Sequence, residues 1–372
     1  MHADYKDRMK PGSDVIILGG GVIGLTTAYF LAQEGASVLL CEQGRLGMES
    51  SWAGAGILPP SDFEHAQLPL DRLRALSGRL FPALSNELKE RTGIDNGFVR
   101  CGGLEFLSQA AQEESDEWYG LGVTTNVLSE KAVAALEPAL APHLGEAIHV
   151  PGMAQLRNPR HLQALRTACL ATHKVAFLED RPAQSLCVER NRCKGVRTAN
   201  ELLTGDVVLL CAGAWTDRLL EPLGRRLNIE PVRGQIVLLN PGTIIFRNIL
   251  IWGARYLVPR LDGRVLIGST QEHVGFVKDT TATGIHGLLE LGFRLVPRLA
   301  DAAVEKTWAG LRPGSPDGLP FLGPVPGIED LYVAAGHFRA GIQLSPGTGQ
   351  LLKEMILGQP LSMPMDAFRL DR

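Results

Sequence analysis

The clearest pattern of apolar and polar residues lies near the start of the chain. Residues 15–18 are four consecutive apolar residues bounded by glycine, which predicts a strand buried on both faces of a parallel sheet. Residues 22–32 predict a mostly apolar helix that ends near Gly35, and residues 37–41 predict a second buried strand. The order strand, helix, strand predicts a βαβ unit.

Three glycines occupy the predicted turn between the first strand and the helix. Gly19, Gly21 and Gly24 form the pattern G-x-G-x-x-G. The first glycine permits a tight turn, the second lets the backbone approach a pyrophosphate, and the third allows close helix packing. Unpaired N–H groups and the helix dipole favour phosphate at this position. The alternative is an ordinary βαβ corner that binds no ligand.

Glu42 strengthens the prediction of a dinucleotide site. It follows the second predicted strand directly and lies 18 residues after Gly24. Dinucleotide-binding folds place there the acid that hydrogen-bonds the adenosine ribose. An acid at this position also disfavours a ribose 2′-phosphate, because the two negative groups would repel each other.

The rest of the chain continues to alternate helical and strand-like patterns. Helices are predicted over residues 70–92, 109–140, 158–173, 215–220 and 282–295 and from Ser345 onward. Strands are predicted over residues 98–107, 175–178, 206–212, 233–239 and 331–335. Hairpins are predicted over residues 184–199 and 256–269, the second closed by a two-residue type I′ turn at Asp262-Gly263. A connector is predicted over residues 142–151 and a loop over residues 336–343.

Composition excludes several classes of protein. The net charge of −3 and pI near 6.3 provide no polycationic surface for nucleic acid. A hydrophobic content of 45% with 21% charged residues is typical of a soluble globular protein. No stretch keeps about 18 apolar residues without breakers, and the polar head over residues 1–14 lacks a secretion signal. A cytosolic protein without membrane contact is therefore predicted.

Two further features concern cysteine content and domain organisation. Six cysteines occur without a C-x-x-C pair, so neither a metal site nor a disulfide is predicted. The length of 372 residues favours two domains. A second strand-to-glycine-to-helix junction, over residues 206–220, indicates that the dinucleotide domain is interrupted and resumes late in the chain.

Six motifs, taken together, resemble the FAD-dependent D-amino-acid oxidase family. They are GGGVIG with Glu42, ESSWAGAGI at 49–57, VVLLCAGAWTD at 207–217, RYLVPRLDGRVLIGST at 255–270, WAGLRPGSPDGLPFLG at 308–323 and GHFRAGIQLSP at 336–346. The similarity spans nearly the whole chain in the right order. The last three motifs are specific to this family, and they are most similar to its bacterial glycine oxidase branch, which serves thiamine biosynthesis.

The resemblance implies an α/β fold of the D-amino-acid oxidase type. In that fold a Rossmann-like FAD-binding domain is interrupted by a substrate-binding antiparallel β domain. The FAD-binding domain would comprise residues 14–92, 152–225 and 310–368, and the substrate-binding domain residues 93–151 and 226–309. Residues 1–13 would form a flexible N-terminal extension.

The resemblance also implies which residues hold FAD. Val22 and Ile23 would meet the pyrophosphate, Glu42 and Gln43 the adenosine, and Ala183 the adenine. The full implied set is Gly19, Gly21, Val22, Ile23, Gly24, Glu42, Gln43, Ser50, Ser51, Ala55, Gly56, Ile57, Ala183, Gly213, His337, Phe338, Arg339, Ala340, Gly341, Ile342 and Gln343. Covalent flavin in related sarcosine oxidases needs a cysteine near the ring, and none follows Cys211, so noncovalent FAD is predicted.

Three residues are implied at the substrate. Arg312 matches the arginine that binds the substrate carboxylate, Tyr256 the tyrosine beside it, and Arg339 an arginine near the flavin. A guanidinium can give a carboxylate two parallel charge-assisted hydrogen bonds, which would aim the substrate Cα–H at flavin N5 for hydride transfer. The amine must then be neutral, and no obligatory base is required. Alternatively, Arg312 is a surface arginine, Tyr256 a strand aromatic and Arg339 a structural ion-pair partner.

The implied activity is oxidation of glycine, sarcosine and small D-amino acids by O2. The products would be an imine and hydrogen peroxide, and the imine would hydrolyse to glyoxylate or pass to a thiazole synthase. Ala254 and Gln271 stand where certain glycine oxidases carry His and Met, which would shift the preference toward larger or N-substituted amines. The arginine-rich hairpin over residues 255–264 is a candidate for an additional anion site.

Three other functions remain open from the sequence. They are a dehydrogenase with a non-oxygen acceptor, a non-catalytic flavin-binding module and a nicotinamide-dependent dehydrogenase. A homo-oligomer is also expected.

Overall fold

The computed structural model describes residues 13–106 and 122–372. The extension predicted over residues 1–13 lies outside the described residues except for Ser13, which begins the first strand. The helical prediction over residues 109–140 also lies partly outside them.

The described residues form helices and three β-sheets. The strands are β1 Ser13–Leu18, β2 Val38–Cys41, β3 Ile57–Leu58, β4 Val99–Arg100, β5 Gly103–Phe106, β6 Asn126–Leu128, β7 Ala147–Val150, β8 Ala154–Gln155, β9 Val175–Leu178, β10 Ala183–Glu189, β11 Arg192–Thr198, β12 Leu202–Leu210, β13 Glu230–Asn240, β14 Ile249–Trp252, β15 Arg255–Pro259, β16 Val265–Gly268, β17 Ala303–Gly314, β18 Phe321–Pro324 and β19 Leu331–Ala335. The α-helices are α1 Val22–Gln33, α2 Ser50–Ala53, α3 Pro69–Thr92, α4 Glu130–Leu136, α5 Asn158–Ala171, α6 Thr216–Leu220, α7 Ala282–Leu295 and α8 Gly341–Ile356.

The first sheet is built on parallel strands. β1 pairs in parallel with β2 on one side and β12 on the other, and β9 and β19 extend this parallel set outward. Helix α1 is buried along most of its length and packs against α8 and α5, so β1 and α1 lie at the centre of the core. The βαβ unit predicted for residues 15–41 is therefore present, with the pairing expected for it.

The second sheet has the order β17-β13-β16-β15-β14-β5-β7-β6 and is antiparallel except where β14 pairs with β5. Its longest pairing joins β13 to β17 from Glu230 and Gly314 to Asn240 and Ala303. Helix α7 packs on this sheet and buries Leu288, Leu291 and Leu295. A small third sheet, β3-β8-β4, completes the described strands.

Two predicted segments of the second sheet are wrong. The connector over residues 142–151 contains β7, which pairs with a strand on each side. Its Ala147, Ile148 and Val150 are buried. The glycine and prolines around it favoured a connector, but burial of these apolar residues outweighs that local signal. Within the mostly helical prediction over residues 109–140, strand β6 precedes the short helix α4.

The hairpin between β15 and β16 closes differently from the prediction. The N–H of Gly263 donates to Arg260 O at 2.9 Å, and the N–H of Arg260 donates to Arg264 O at 2.7 Å. Three residues therefore form the loop, with Gly263 left-handed at φ 85° and Asp262 outside the left-handed region. A type I′ turn would need positive φ at both central residues, so the dipeptide signal misassigned the turn.

Helix α8 begins at Gly341, four residues before the predicted start at Ser345. Pro346 argued against an earlier start of the helix, because proline has no N–H to donate to the carbonyl of Ile342. The Ser345 hydroxyl donates to that carbonyl at 2.9 Å instead. A proline can therefore lie inside the second turn of this helix.

His161 of α5 is a fully buried histidine next to α3. Its Nδ1 lies 3.1 Å from Asn96 Nδ2, and an amide nitrogen can only donate, so Nδ1 is the acceptor and Nε2 carries the proton. Burial lowers the pKa of His161 from 6.5 to about 4. The residue is consequently neutral in the folded protein at neutral pH.

We expect His161 to weaken the fold as the pH falls. Between pH 6.5 and pH 4 the unfolded chain binds a proton at His161 that the folded chain does not, so the unfolding free energy falls by about 1.4 kcal/mol per pH unit from this group. The variant His161→Gln should remove one proton from the slope measured by urea unfolding between pH 6 and pH 4.5. An unchanged slope would contradict the assignment.

Candidate active site

A cavity of about 650 Å³ lies where the first sheet meets the second. Its walls come from the C-terminal ends of β1, β2 and β19, the segment after β12, and residues of β13, β15 and β17. Parallel strands share one C-terminal edge, and α/β sheets bind ligands at that edge. The volume is within the usual range for small-molecule and cofactor sites.

The predicted cofactor and substrate residues line this cavity with one exception. Gly24 lies inside α1, where an added Cβ would be 2.1 Å from Gly19 O, so it serves the packing of the helix on the turn. The residues brought together are Gly19, Gly21, Val22, Ile23, Glu42, Gln43, Ser50, Ser51, Ala55, Gly56, Ile57, Ala183, Gly213, Tyr256, Arg312, His337, Phe338, Arg339, Ala340, Gly341, Ile342 and Gln343.

The turn before α1 forms one end of the cavity. Gly19 has φ 111°, and Gly21 is the N-cap of α1 without a side-chain cap. The backbone of this turn is therefore free of bulky side chains at the point where a helix N-terminus faces the cavity. Such an end offers N–H donors to a pyrophosphate.

Glu42 ties the end of β2 to this turn. Its Oε2 accepts from Gly20 N at 2.7 Å, and its Oε1 accepts from Gly44 N at 3.0 Å. Burial raises the pKa of Glu42, and the two backbone N–H donors oppose that rise. The carboxyl group is thus fixed in the cavity wall. Arg181 and Pro182 line the cavity beside Ala183, and the sequence interpretation missed both.

The short helix α2 connects the two ends of the cavity. Ser51 Oγ accepts from Val22 N at 2.9 Å, which attaches α2 to the start of α1. Ser50 Oγ donates to Leu311 O at 2.5 Å, which attaches the same helix to β17. The turn at one end and the strand that carries Arg312 at the other are therefore bound to a single element.

Arg312 is half-buried on β17 at the far end. Its guanidinium donates to Ser269 Oγ at 2.5 Å and to Thr270 O at 3.2 Å. Burial lowers the pKa of Arg312, but a guanidinium keeps its proton at physiological pH. Among residues 13–106 and 122–372 no carboxylate pairs with it. The group is therefore a buried positive charge that faces the cavity, not a surface arginine.

Two glycines that the sequence interpretation did not identify shape the cavity around Arg312 and Tyr256. An added Cβ on Gly234 would be 2.1 Å from the Arg312 guanidinium, so only glycine leaves room for that group. An added Cβ on Gly268 would be 2.8 Å from the Tyr256 hydroxyl. Because the two glycines face side chains from neighbouring strands, only strand pairing could have identified them. The Tyr256 side chain itself lies beside Arg312 and favours its charged form.

The loop before α8 brings a second guanidinium to the cavity. The Phe338 N–H donates to Pro313 O at 2.9 Å, so the loop is bound to the strand that carries Arg312. Arg339 donates to Gln271 Oε1, which is neutral. In the described part of the chain Arg339 has no carboxylate partner, so it is not a structural ion-pair partner there.

His337 shapes the same loop. It is 5% exposed, and its Nε2 lies 3.2 Å from Thr348 Oγ1. Burial lowers the pKa of His337 to about 3, so the ring is neutral and a poor proton acceptor. Its contribution is to position the loop.

The arginine-rich hairpin does not act as one anion site. Arg260 is buried and donates to Ala55 O at 2.8 Å, to Leu156 O at 3.0 Å and to Gln155 Oε1 at 2.8 Å. Burial lowers the pKa of Arg260 to about 10. Its donors are thus occupied in holding the loop at Ala55, whereas Arg264 pairs with Glu305 at 2.7 Å.

Two cysteines line the cavity, Cys41 and Cys211. Burial raises the pKa of Cys41 to about 12 and raises that of Cys211 strongly. Both are therefore protonated thiols, which are weak nucleophiles.

Within residues 13–106 and 122–372, no group of His, Cys, Asp and Glu side chains could hold a metal ion. No helix in the same residues is long and apolar enough to cross a membrane.

We expect Arg260→Met to destabilise the fold by about 3 kcal/mol, because it leaves buried carbonyl groups without donors. Arg264→Met removes an arginine from the same hairpin, but its ion pairs are screened by solvent, so the expected loss is much smaller. Urea unfolding of both variants measures the difference. Equal losses would contradict the structural role of Arg260.

The residues of the cavity fit FAD. The helix end at Gly21, whose own residue adds no side chain, fits a pyrophosphate, and Glu42 fits a ribose. Gly213, at φ 53°, has no atom within 4 Å of an added Cβ, so the cavity is open at this point for a large ligand. Arg312 lines the same cavity from β17 of the second sheet.

Comparison with known proteins also indicates FAD as the cofactor. The model of the family described as FAD dependent oxidoreductase (DAO) matches residues 14–355. Glycine oxidase of Pseudomonas putida is 38% identical over 352 residues, which cover 94% of this chain and 96% of that protein. The crystal structure of glycine oxidase from Geobacillus kaustophilus matches with a TM-score of 0.92 and 32% identity, covering 98% of this chain and 99% of that one.

A further relative is longer than this chain. The bifunctional protein ThiO/ThiG of Synechocystis sp. is 32% identical over 97% of this chain but over only 54% of its own length. These matches confirm the predicted resemblance, the α/β fold class and FAD as the cofactor. The chain therefore belongs to the DAO family of FAD-dependent oxidoreductases.

Proposed function

We propose that this FAD-dependent amino-acid oxidase converts glycine, sarcosine and small D-amino acids to imines, with O2 as the electron acceptor. The observation that carries the proposal is the charge of Arg312, which faces the cavity and has no carboxylate partner in the described part of the chain. A substrate carboxylate would neutralise it with two parallel hydrogen bonds.

The residues of the chain bind and orient the substrate. Arg312 fixes the carboxylate, and the hydroxyl of Tyr256 lies beside the guanidinium where it can contact the same group. FAD, when bound, supplies the redox chemistry by accepting a hydride at N5. A fixed carboxylate leaves the Cα–H in one orientation, so positioning supplies much of the rate. We assign no side chain as a base.

The proposed overall reaction converts glycine, O2 and water to glyoxylate, ammonia and hydrogen peroxide. The imine is released first and then hydrolyses. A role of the imine in thiazole assembly is supported by the ThiO/ThiG relative, in which about half of the protein corresponds to this chain. The division into two domains, the homo-oligomer and the cytosolic location stay predictions.

The purified protein provides the first test of this function. We expect a flavin spectrum, bleaching of that spectrum by glycine without oxygen, and peroxide in air. Because Cys41 and Cys211 are protonated thiols, the FAD should be noncovalent and should leave the protein on acid precipitation. A bleached flavin that yields no peroxide in air would indicate a dehydrogenase. A flavin that no amine bleaches would indicate a binding module.

The variant Arg312→Ala should raise KM for glycine by about a hundredfold or more, because two charge-assisted hydrogen bonds are lost. FAD should remain bound, since the turn and Glu42 lie at the other end of the cavity. Arg312→Lys keeps the charge without the planar fork and should have an intermediate effect. An unchanged KM in Arg312→Ala would contradict the assignment.

The variant Gly234→Ala tests the role of Arg312 without removing its guanidinium. The added methyl group would displace the flexible guanidinium of Arg312, so KM should rise while stability changes little. Gly287→Ala is the matched control, because its Cβ would meet no atom closer than 3.7 Å within helix α7. Steady-state kinetics and thermal unfolding of both variants measure the two effects. Normal KM in Gly234→Ala would show that Arg312 is not the carboxylate site.

A further inference from the structure

We infer that Arg339 forms a second anion subsite, so that the cavity favours secondary amines that carry two carboxylates over amines that carry one. This inference rests on the proposed function, because it assigns the first carboxylate to Arg312. The chemical class is that of N-carboxymethyl amino acids, of which iminodiacetate is the smallest member. Arg339 would be a specificity residue of the site.

One segment orients both guanidiniums. The residues that directly follow β16 are Ser269, Thr270 and Gln271. Ser269 Oγ and Thr270 O accept from Arg312, and Gln271 Oε1 accepts from Arg339. All three acceptors are neutral. They therefore fix the positions of two positive charges without neutralising either one.

The acids closest to this segment have partners elsewhere. Glu272, the next residue, forms its ion pair with the buried Arg233 and also accepts from Gln235 at 2.8 Å. Glu49, which lines the cavity, pairs with Lys278 at 2.7 Å. Arg233 and Lys278 thus have carboxylate partners, whereas Arg312 and Arg339 have none within residues 13–106 and 122–372.

The two charges are close enough to affect each other. The positive charge of Arg339 contributes to lowering the pKa of Arg312, after the larger effect of burial. Two like charges that face one cavity destabilise the free protein. A substrate with one carboxylate neutralises one of the two guanidiniums, whereas a substrate with two carboxylates neutralises both.

The part of the cavity wall next to β15 has room for a nitrogen substituent. Ala254 presents only a methyl group to the cavity, and Gly253, at φ 54°, has no atom within 4 Å of an added Cβ. Arg339 is an exposed residue at the rim, whereas Arg312 is half-buried. The reacting arm would bind at Arg312 and the second arm would extend toward the rim.

The second carboxylate takes no part in the chemistry. FAD, when bound, would accept a hydride from the methylene carbon of the arm bound at Arg312 and would pass the two electrons to O2. The nitrogen lone pair forms the C=N bond, and the N–H proton goes to water. Water then cleaves the imine to glyoxylate and the remaining amino acid. For iminodiacetate the balance is one O2 and one water consumed, with glyoxylate, glycine and hydrogen peroxide produced.

Binding of two ligands that cannot be oxidised gives the first test. Oxydiacetate and methoxyacetate lack nitrogen, and they differ by one carboxylate. Titration of the holoenzyme, followed by flavin absorbance, should show about tenfold tighter binding of oxydiacetate, the effect of one charge-assisted hydrogen bond. In Arg339→Met the two ligands should bind within about twofold of each other, because the advantage of the second carboxylate is lost.

The matched control is Arg255→Met, which removes another exposed arginine that lines the cavity but donates to Gly287 O at 3.1 Å. It should keep the preference for oxydiacetate. Equal binding of the two ligands by the unaltered protein would overturn the inference. So would a preference that survives Arg339→Met or that is lost in Arg255→Met.

Turnover separates this inference from the proposed function. We expect kcat/KM for iminodiacetate to exceed that for sarcosine, and Arg339→Met to remove the difference mainly through KM. Oxidation of glycine and sarcosine with no advantage for iminodiacetate would leave the proposed function intact and refute the second subsite. A flavin that no amine reduces would refute the proposed function, while the titrations would still report on Arg339.

Discussion

A positive charge held only by neutral groups is the constraint on which the rest of the site depends. Burial makes the guanidinium of Arg312 costly in the free protein, yet the group cannot lose its proton at physiological pH. Ser269 and Thr270 orient it without neutralising it. Its best partner is therefore an incoming carboxylate, and little reorganisation is needed when that carboxylate arrives, because the hydrogen bonds to the protein already fix the fork.

A short series of contacts connects the glycine turn to the strand that carries Arg312. Helix α2 is bound to the start of α1 through Ser51 and to β17 through Ser50. The loop that carries Arg339 is bound to Pro313 of the same strand. A displacement of β17 would thus move both guanidiniums relative to the pyrophosphate end. A misplacement of about 1 Å can cost about a hundredfold in rate, so the hydrogen bonds of Ser50 and Ser51 would help to preserve the proposed reaction geometry.

The sequence predicts best what is local. The βαβ unit over residues 15–41 follows from apolar runs and glycines because all of its determinants lie within one short stretch. Strand β7 is stabilised instead by β5 and β6, which pair with it on its two sides and come from other stretches of the chain. The helix through Pro346 depends on one hydroxyl that replaces a missing N–H. Gly234 is required because Arg312 lies on the neighbouring strand, and a contact of that kind is visible only once strands are paired.

The two charges also explain how the substrate amine can be neutral without a catalytic base. In water the carboxylate of an amino acid stabilises its own ammonium group. In the proposed reaction, pairing with Arg312 would cancel that effect, and the further charge of Arg339 would disfavour a positive group in the cavity, so both would lower the pKa of the bound amine. A buried histidine with a pKa near 3, such as His337, could not accept the proton at neutral pH. In the proposed reaction the proton would instead be lost to water as the amine enters, and the electrostatics that bind the carboxylate would also prepare the nitrogen to form the C=N bond.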